Sequence, residues 1–280
     1  MDIMRIRTFY WEDNIVPKGK RILYKWLGKQ PNQHFLYGNA GDIFARELLA
    51  YLYKQHVINI PSEGGRLLSV GSIAHRALAG DILCGVGVKN KGMVPHIHEP
   101  ITIYGLRGPL SLESFKHAGY NVDNLKFLYD PGLLIPYLLP EPKLSVSPTQ
   151  VSFIPHYRER NLYKRNLKKE IKMIDIDNHP VTVAKQIKAS KLVYSSSLHG
   201  IIFSHALGVP CIYVKPQTEE SEFKFIDYYE SVNLPYKKPL SSIFDADFRR
   251  DSDTPASVNV GLKDFYFPEL PELQRLGIVR

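Results

Sequence analysis

The sequence predicts an α/β protein made of two doubly wound domains that face one another across a cleft. Apolar, β-rich runs alternate with helical stretches along the chain, which is the signature of parallel sheets with crossover helices rather than of a sandwich. The length of 280 residues suits two domains of ordinary size. A proline-rich interval with Pro136, Pro140, Pro142 and Pro148 interrupts the pattern near its middle. That break places a domain boundary between residues 145 and 146.

In the first unit, strands are expected at Leu67–Ser72, Asp81–Gly87, Ile101–Tyr104 and Lys126–Asp130. Helices from Asp42 to Tyr53 and from Leu110 to His117 supply crossovers. The N-terminus, Met1 to Arg7, alternates like a strand and has no apolar stretch of signal-peptide length. The second unit opens with a strand at Gln150–His156 and continues through Ile171–Asp175, Lys191–Ser195 and Pro210–Val214, with helices near 180–189 and 199–207. The tail from Pro268 to Arg280 is expected to pack back as a helix. Domains of this kind bind ligands at the carboxyl ends of their strands, which puts the cleft there.

Composition narrows the function classes. With 44% apolar and 23% charged residues the chain has the balance of a packed globular protein. Cys84 and Cys211 each lie in an apolar run, so neither a disulfide framework nor a CxxC site is available, and a reducing, cytoplasmic setting is expected. No window approaches the ~20 apolar residues of a spanning helix, so any membrane contact would be peripheral, on the inner face of the plasma membrane. The net charge of +8 favours anionic partners such as phosphorylated metabolites or lipid headgroups. The densest basic cluster, Arg158 to Lys169, reads as a solvated face. It lacks the interleaved aromatics that base stacking would use, so no nucleic-acid partner is expected.

The most informative segment runs from Tyr194 to Pro210, where a strand passes through Ser195-Ser196-Ser197 into a helix beginning Leu198-His199-Gly200. Unpaired N–H groups and the helix dipole make such a helix start a natural site for phosphate or carboxylate. Seen alone, the same residues also suit a plain cap, with Ser196 or Ser197 capping and His199 filling a half-buried polar position.

The segment does not stand alone. It resembles the signature of the polysaccharide pyruvyl transferase family, and further motifs similar to that family's occur in order. These are Tyr37-Gly38-Asn39-Ala40-Gly41-Asp42, Ser69-Val70-Gly71-Ser72, Tyr104 to Ser111, Asp130-Pro131-Gly132 and Phe153-Ile154-Pro155-His156-Tyr157. The resemblance spans roughly residues 35 to 230. It implies two Rossmann-like domains arranged as in GT-B glycosyltransferases, with the acceptor on the N-terminal side and the donor on the C-terminal side. It also implies phosphoenolpyruvate as donor substrate, no cofactor or obligatory metal, and a sugar of a surface polysaccharide or exopolysaccharide, or its lipid-linked repeat unit, as acceptor.

Ketal formation from that donor needs an acid, a base and cations. The resemblance gives Arg107 a grip on the donor's carboxylate or phosphate, which the guanidinium fork suits better than an ammonium; the alternative is a surface ion pair. His199 is expected as general acid or donor contact, because imidazole titrates near neutral pH. His156, at a strand end facing the cleft, can handle an acceptor hydroxyl or be a satisfied loop histidine. Asn39 and Asp42, where a glycine-rich turn enters a helix, suit acceptor binding or capping equally. Ser197 and Leu198, at the helix start, are expected to contact substrate. Lys215 and Lys224 stand at spacings that resemble basic positions of the family and could neutralise phosphate. Asp130 reads as a turn former. Many family members carry Arg-Leu-His where this chain has Ser197-Leu198-His199. The serine form resembles the exopolysaccharide branch and leaves the donor one cation short, placing more weight on Arg107 and the lysines. Two rivals remain, a nucleotide-sugar glycosyltransferase of the same architecture and a non-catalytic basic binding protein.

Overall fold

Both halves of the chain close a parallel sheet, because their strands are apolar on both faces and the segments between them are long enough for crossover helices. The computed structural model describes residues 4–12, 15–27, 34–96, 100–140, 148–251 and 258–279. The first half runs through β1 (Arg5–Thr8), α1 (Lys18–Leu27), α2 (Ala40–Tyr53), β2 (His56–Asn59), β3 (Leu67–Leu68), β4 (Ile82–Val86), β5 (Thr102–Leu106), α3 (Pro109–His117) and β6 (Phe127–Leu128). The second runs through β7 (Gln150–Ile154), α4 (Arg160–Tyr163), β8 (Ile171–Met173), α5 (Pro180–Lys188), β9 (Ser190–Ser195), α6 (Leu198–Ala206), β10 (Cys211–Tyr213), α7 (Phe223–Ser231), α8 (Phe248–Asp251) and α9 (Leu270–Arg275).

One sheet has the order β3-β4-β5-β6 and the other β10-β9-β7-β8, and every pairing in both is parallel. The protein is therefore α/β with parallel sheets, as the alternating pattern predicts. The register between β4 and β5 slips around Gly85, whose φ of 107° and whose closeness to the Pro131 ring both exclude a side chain. Leu67–Ser72 and Lys126–Asp130 contribute only two laddered residues each, at β3 and β6. The N-terminal strand starts at Arg5 and pairs in parallel with β2, which the sequence pattern does not announce.

The two halves are interlocked rather than merely adjacent. Helix α2 starts at an Asn39 cap whose side chain accepts from Gly41 N at 3.1 Å, and it ends where Lys54 turns left-handed. Its apolar residues repeat every fourth position, Ala40-Phe44-Leu48 and Ala45-Leu49, so one face is buried. That face packs on α5 and α6 of the second half, with Phe44 edge-on to Phe203 at 5.3 Å. In the other direction, α7 packs on α3. The C-terminal tail returns to the first half: Ile6 bridges Val279, and the Tyr53 hydroxyl donates to the Pro268 carbonyl at 2.8 Å. The tail helix expected from Pro268 to Arg280 is α9, confined to Leu270–Arg275. The boundary at 145/146 lies outside the described residues. Among those described, no helix is long and apolar enough to cross a membrane.

Candidate active site

A cavity of about 430 Å³ opens where segments following β3, β4, β7 and β9 meet the starts of α2, α6 and α7. These are carboxyl ends of parallel strands, where loops are free to carry polar groups. The structure brings Asn39, Asp42, His156, Ser197, Leu198, His199 and Lys224 together in its wall. Lys215 is not among them; it follows β10 with an exposed side chain, outside the cavity.

The loop before α2 is fixed to the second sheet by a carboxylate clamp. Asp177 accepts from the backbone N–H groups of Leu36, Tyr37 and Gly38 at 2.8, 2.8 and 3.1 Å, and pairs with Arg160 at 2.9 Å. Arg160 in turn donates to the His34 carbonyl at 2.6 Å, and its guanidinium lies over the Phe35 ring. The clamp sets the α2 N-terminus against the α6 N-terminus. His199 then lies so close to Gly41 that a Cβ there would overlap the imidazole. Gly41 is thus a close-approach glycine, required by the histidine rather than by its own backbone.

At the start of α6 the serines divide their work. Ser195 Oγ accepts from Ser197 N at 3.0 Å and donates to the Ser197 carbonyl at 2.9 Å, so Ser195 organises the turn. Ser197 makes no side-chain cap and lines the cavity with its hydroxyl unused for that purpose. His199 Nε2 lies 3.8 Å from Asp130 Oδ1 and has no hydrogen-bond partner among the described residues. Burial, helped by the nearby Arg107 and Lys224 charges, lowers the His199 pKa to about 3, so the ring is neutral at physiological pH. Asp130 caps the turn by accepting from Gly132 N at 2.8 Å, as its turn-forming reading predicts. Burial also pushes its carboxyl up to about 6, against the pull of Arg107.

His156 stacks at a tilt on Tyr157 and sits between Thr218 Oγ1 at 3.3 Å and Glu220 at 3.4 Å. Burial and then Lys224 lower its pKa to about 3, with Glu220 opposing. Glu220 is the hub of the cationic side, at 2.6 Å from Lys224 and 3.1 Å from Arg158. Burial works against its ionisation, but the Lys224 ammonium and its hydrogen bond win and hold Glu220 below the usual carboxylate range. Lys224 itself is lowered by burial, with Glu220 opposing. Asp42, half-buried in the wall, has no such partner at hydrogen-bond distance among the described residues; burial raises its carboxyl from 3.8 to about 7, despite Lys224.

Arg107 is not among the residues lining the cavity. It is fully buried behind the wall, with Nε donating to Asp227 at 2.9 Å, one terminal nitrogen to Ser72 Oγ at 2.7 Å and the other to the Val88 carbonyl at 2.6 Å. Asp227 also accepts from Ser111 N and Oγ, at 2.9 and 2.6 Å, so this pair joins α7 to the start of α3. Gly87 leaves the guanidinium its space. Among the described residues, Ser72, to which Arg107 donates, does line the cavity.

Among the lining residues that sequence reasoning missed are Lys89, Arg158, Glu220 and Trp11. Arg158 stands in the cluster read as a solvated face, but Glu220 and the Tyr157 ring turn it into the cavity. The spacing of Glu220 and Lys224, four residues apart, was the available signal for that pair. Among the described residues, no group of three or more His, Cys, Asp or Glu is arranged to hold a metal ion.

Residues 39–218, more than half of the chain, match the family model described as polysaccharide pyruvyl transferase. The chain belongs to the polysaccharide pyruvyl transferase family. It is thereby placed among transferases that act, at the family level, in pyruvyl transfer onto polysaccharide. The family match takes in Asn39, Asp42, His156 and His199, while Trp11 precedes it and Glu220 and Lys224 follow it closely. The chain is also similar to uncharacterised protein L143 of Acanthamoeba polyphaga mimivirus, at 28% identity over an aligned length of 215, covering 71% of this chain and 74% of that protein. No solved structure matches it.

Proposed function

We propose that the cavity transfers the pyruvyl unit of phosphoenolpyruvate to two hydroxyls of a sugar in a surface polysaccharide, an exopolysaccharide or a lipid-linked repeat unit, as a ketal. The observation that carries this is one wall holding cations beside a carboxyl titrating near neutral pH and two neutral imidazoles. Lys224, Arg158 and Lys89 form the anion side and take the place of the arginine that this chain lacks before its signature histidine. The free N–H groups at the α6 start add to them. Arg107 acts by holding Ser72 and α7 in place.

In the reaction the donor's methylene carbon gains a proton and becomes a methyl group, and a sugar hydroxyl adds to the central carbon. A second hydroxyl then closes the ring as the C–O bond to phosphate breaks. The two hydroxyl protons balance the one gained by carbon and the one leaving with phosphate. Asp42 has the pKa to give the first proton and regain it. Neutral His199 and His156 accept hydrogen bonds that orient the hydroxyls, while the two hydroxyl protons pass to Asp42, emptied by protonating carbon, and to the departing phosphate. In this reading the two halves are Rossmann-like domains in a GT-B-like arrangement, and the donor needs no bound cofactor.

The test is phosphate release from phosphoenolpyruvate by the purified protein with model glycosides, alongside His199→Ala and Asp42→Asn. Acceptor-dependent release that both variants lose is expected. Saturable binding of a nucleotide sugar with no phosphate release from phosphoenolpyruvate would replace this reading by glycosyl transfer.

A further inference from the structure

We propose that α1 is an interfacial anchor that seats the protein on an anionic lipid bilayer. Its sequence is Lys18-Gly19-Lys20-Arg21-Ile22-Leu23-Tyr24-Lys25-Trp26-Leu27. At the helical repeat, Ile22, Leu23, Trp26 and Leu27 fall in an arc of roughly 140°, and the four basic positions fall in the remainder. Two residues of that arc stand exposed, Ile22 at 79% and Leu23 at 53%. On the basic side Lys20 is exposed, and Arg21 Nε donates to the Val16 carbonyl at 3.1 Å.

A short helix that combines a basic flank with an outward apolar stripe lies in the plane of a headgroup layer. The basic flank decides the occupant. It would repel a second copy of the same helix and complements anionic headgroups, as does the net charge of +8.

The helix is rooted at the cavity. Val16 N donates to the Phe35 carbonyl at 2.7 Å, and Phe35 lines the cavity with Trp11 and Glu12. Ten residues of helix span about 15 Å, so docking holds the cavity rim near the depth of headgroups, where a lipid-linked acceptor would present its sugar. That consequence rests on the proposed pyruvyl transfer; the anchoring does not.

The experiment is co-sedimentation of the full chain with phosphatidylcholine vesicles, with and without about one third phosphatidylglycerol. Binding to the anionic vesicles alone is expected, weakening with added salt, with at least about a tenfold loss in Ile22→Asp/Leu23→Asp and a loss in Lys20→Glu. These side chains are exposed, so the unfolding midpoint stays where it was. Wild-type protein that ignores anionic vesicles, or a double variant that binds them equally well, would overturn the proposal. So would a double variant that changes the oligomeric state in light scattering and leaves vesicle binding intact, since the stripe would then be a contact between copies. Phosphate release with a water-soluble acceptor is expected to be unchanged in the double variant, so failure of the anchor and failure of the chemistry are read separately.

Discussion

Replacing Asp42 by Asn separates the cost of a poised carboxyl from its use. The folded protein raises this group from 3.8 to about 7 by burial, so the native state binds its proton more tightly than the unfolded chain does. The sign follows from that. Below about pH 4 both states are protonated and the group contributes nothing. As pH rises from about 4 to about 7 the unfolded chain ionises freely while the native state resists, so stability falls, and it levels off above the folded pKa. A shift of that size is worth about 4 kcal/mol in full. Asp42 is half-buried and faces a cavity, where water screens the charge, so on the order of 2 kcal/mol is the working magnitude. Asp42→Asn is therefore expected to match wild type in urea unfolding near pH 4 and to exceed it by on the order of 2 kcal/mol at pH 8, while losing turnover. A difference between the two proteins that does not change with pH would refute the assigned pKa, and with it the role of Asp42 as proton donor.

Other perturbations test the frame around the site. Asp227→Ala leaves Arg107 charged, buried and without its carboxylate, and is expected to cost about 3–5 kcal/mol in denaturant unfolding; a loss below about 1 kcal/mol would show that the pair does not join α7 to α3. Phe44→Ala opens a cavity between α2 and α6 at a cost of about 3–5 kcal/mol, and an unchanged urea midpoint would contradict the interlocked core. Gly41→Ala pushes a methyl group into the His199 ring, so kcat should fall more than stability, which should drop by roughly 1–3 kcal/mol. The rate in wild type is expected to decline as pH rises through about 7, when Asp42 loses its proton, and a rate independent of pH from 6 to 8 would count against it.

Much of the fold was legible because strand apolarity and crossover helices are local properties. The eight strands expected in the two large sheets each have a laddered counterpart, since runs such as Asp81–Gly87 and Lys191–Ser195 are apolar on both faces. β2 escaped notice because His56-Val57-Ile58-Asn59 is short and polar at both ends, and only its pairing with β1 makes it a strand. The site was legible where a motif fixes the backbone, as at Asn39, Ser197 and His199. It was not legible where tertiary partners decide which way a long side chain points. Arg107 turns inward to Asp227, 120 residues away, and Arg158 turns to Glu220, 62 away. Neither partner follows from local sequence. The raised pKa of Asp42 likewise comes from burial, a tertiary property that local sequence does not show.

The central claim is that this cavity moves pyruvyl from phosphoenolpyruvate to a sugar. Phosphoenolpyruvate labelled in its central carbon, incubated with the protein and a glycan acceptor, tests it most directly. The account predicts label in the glycan as a ketal, one phosphate released for each ketal formed, and neither product with His199→Ala. Label recovered only as free pyruvate, at the same rate with and without acceptor, would contradict it.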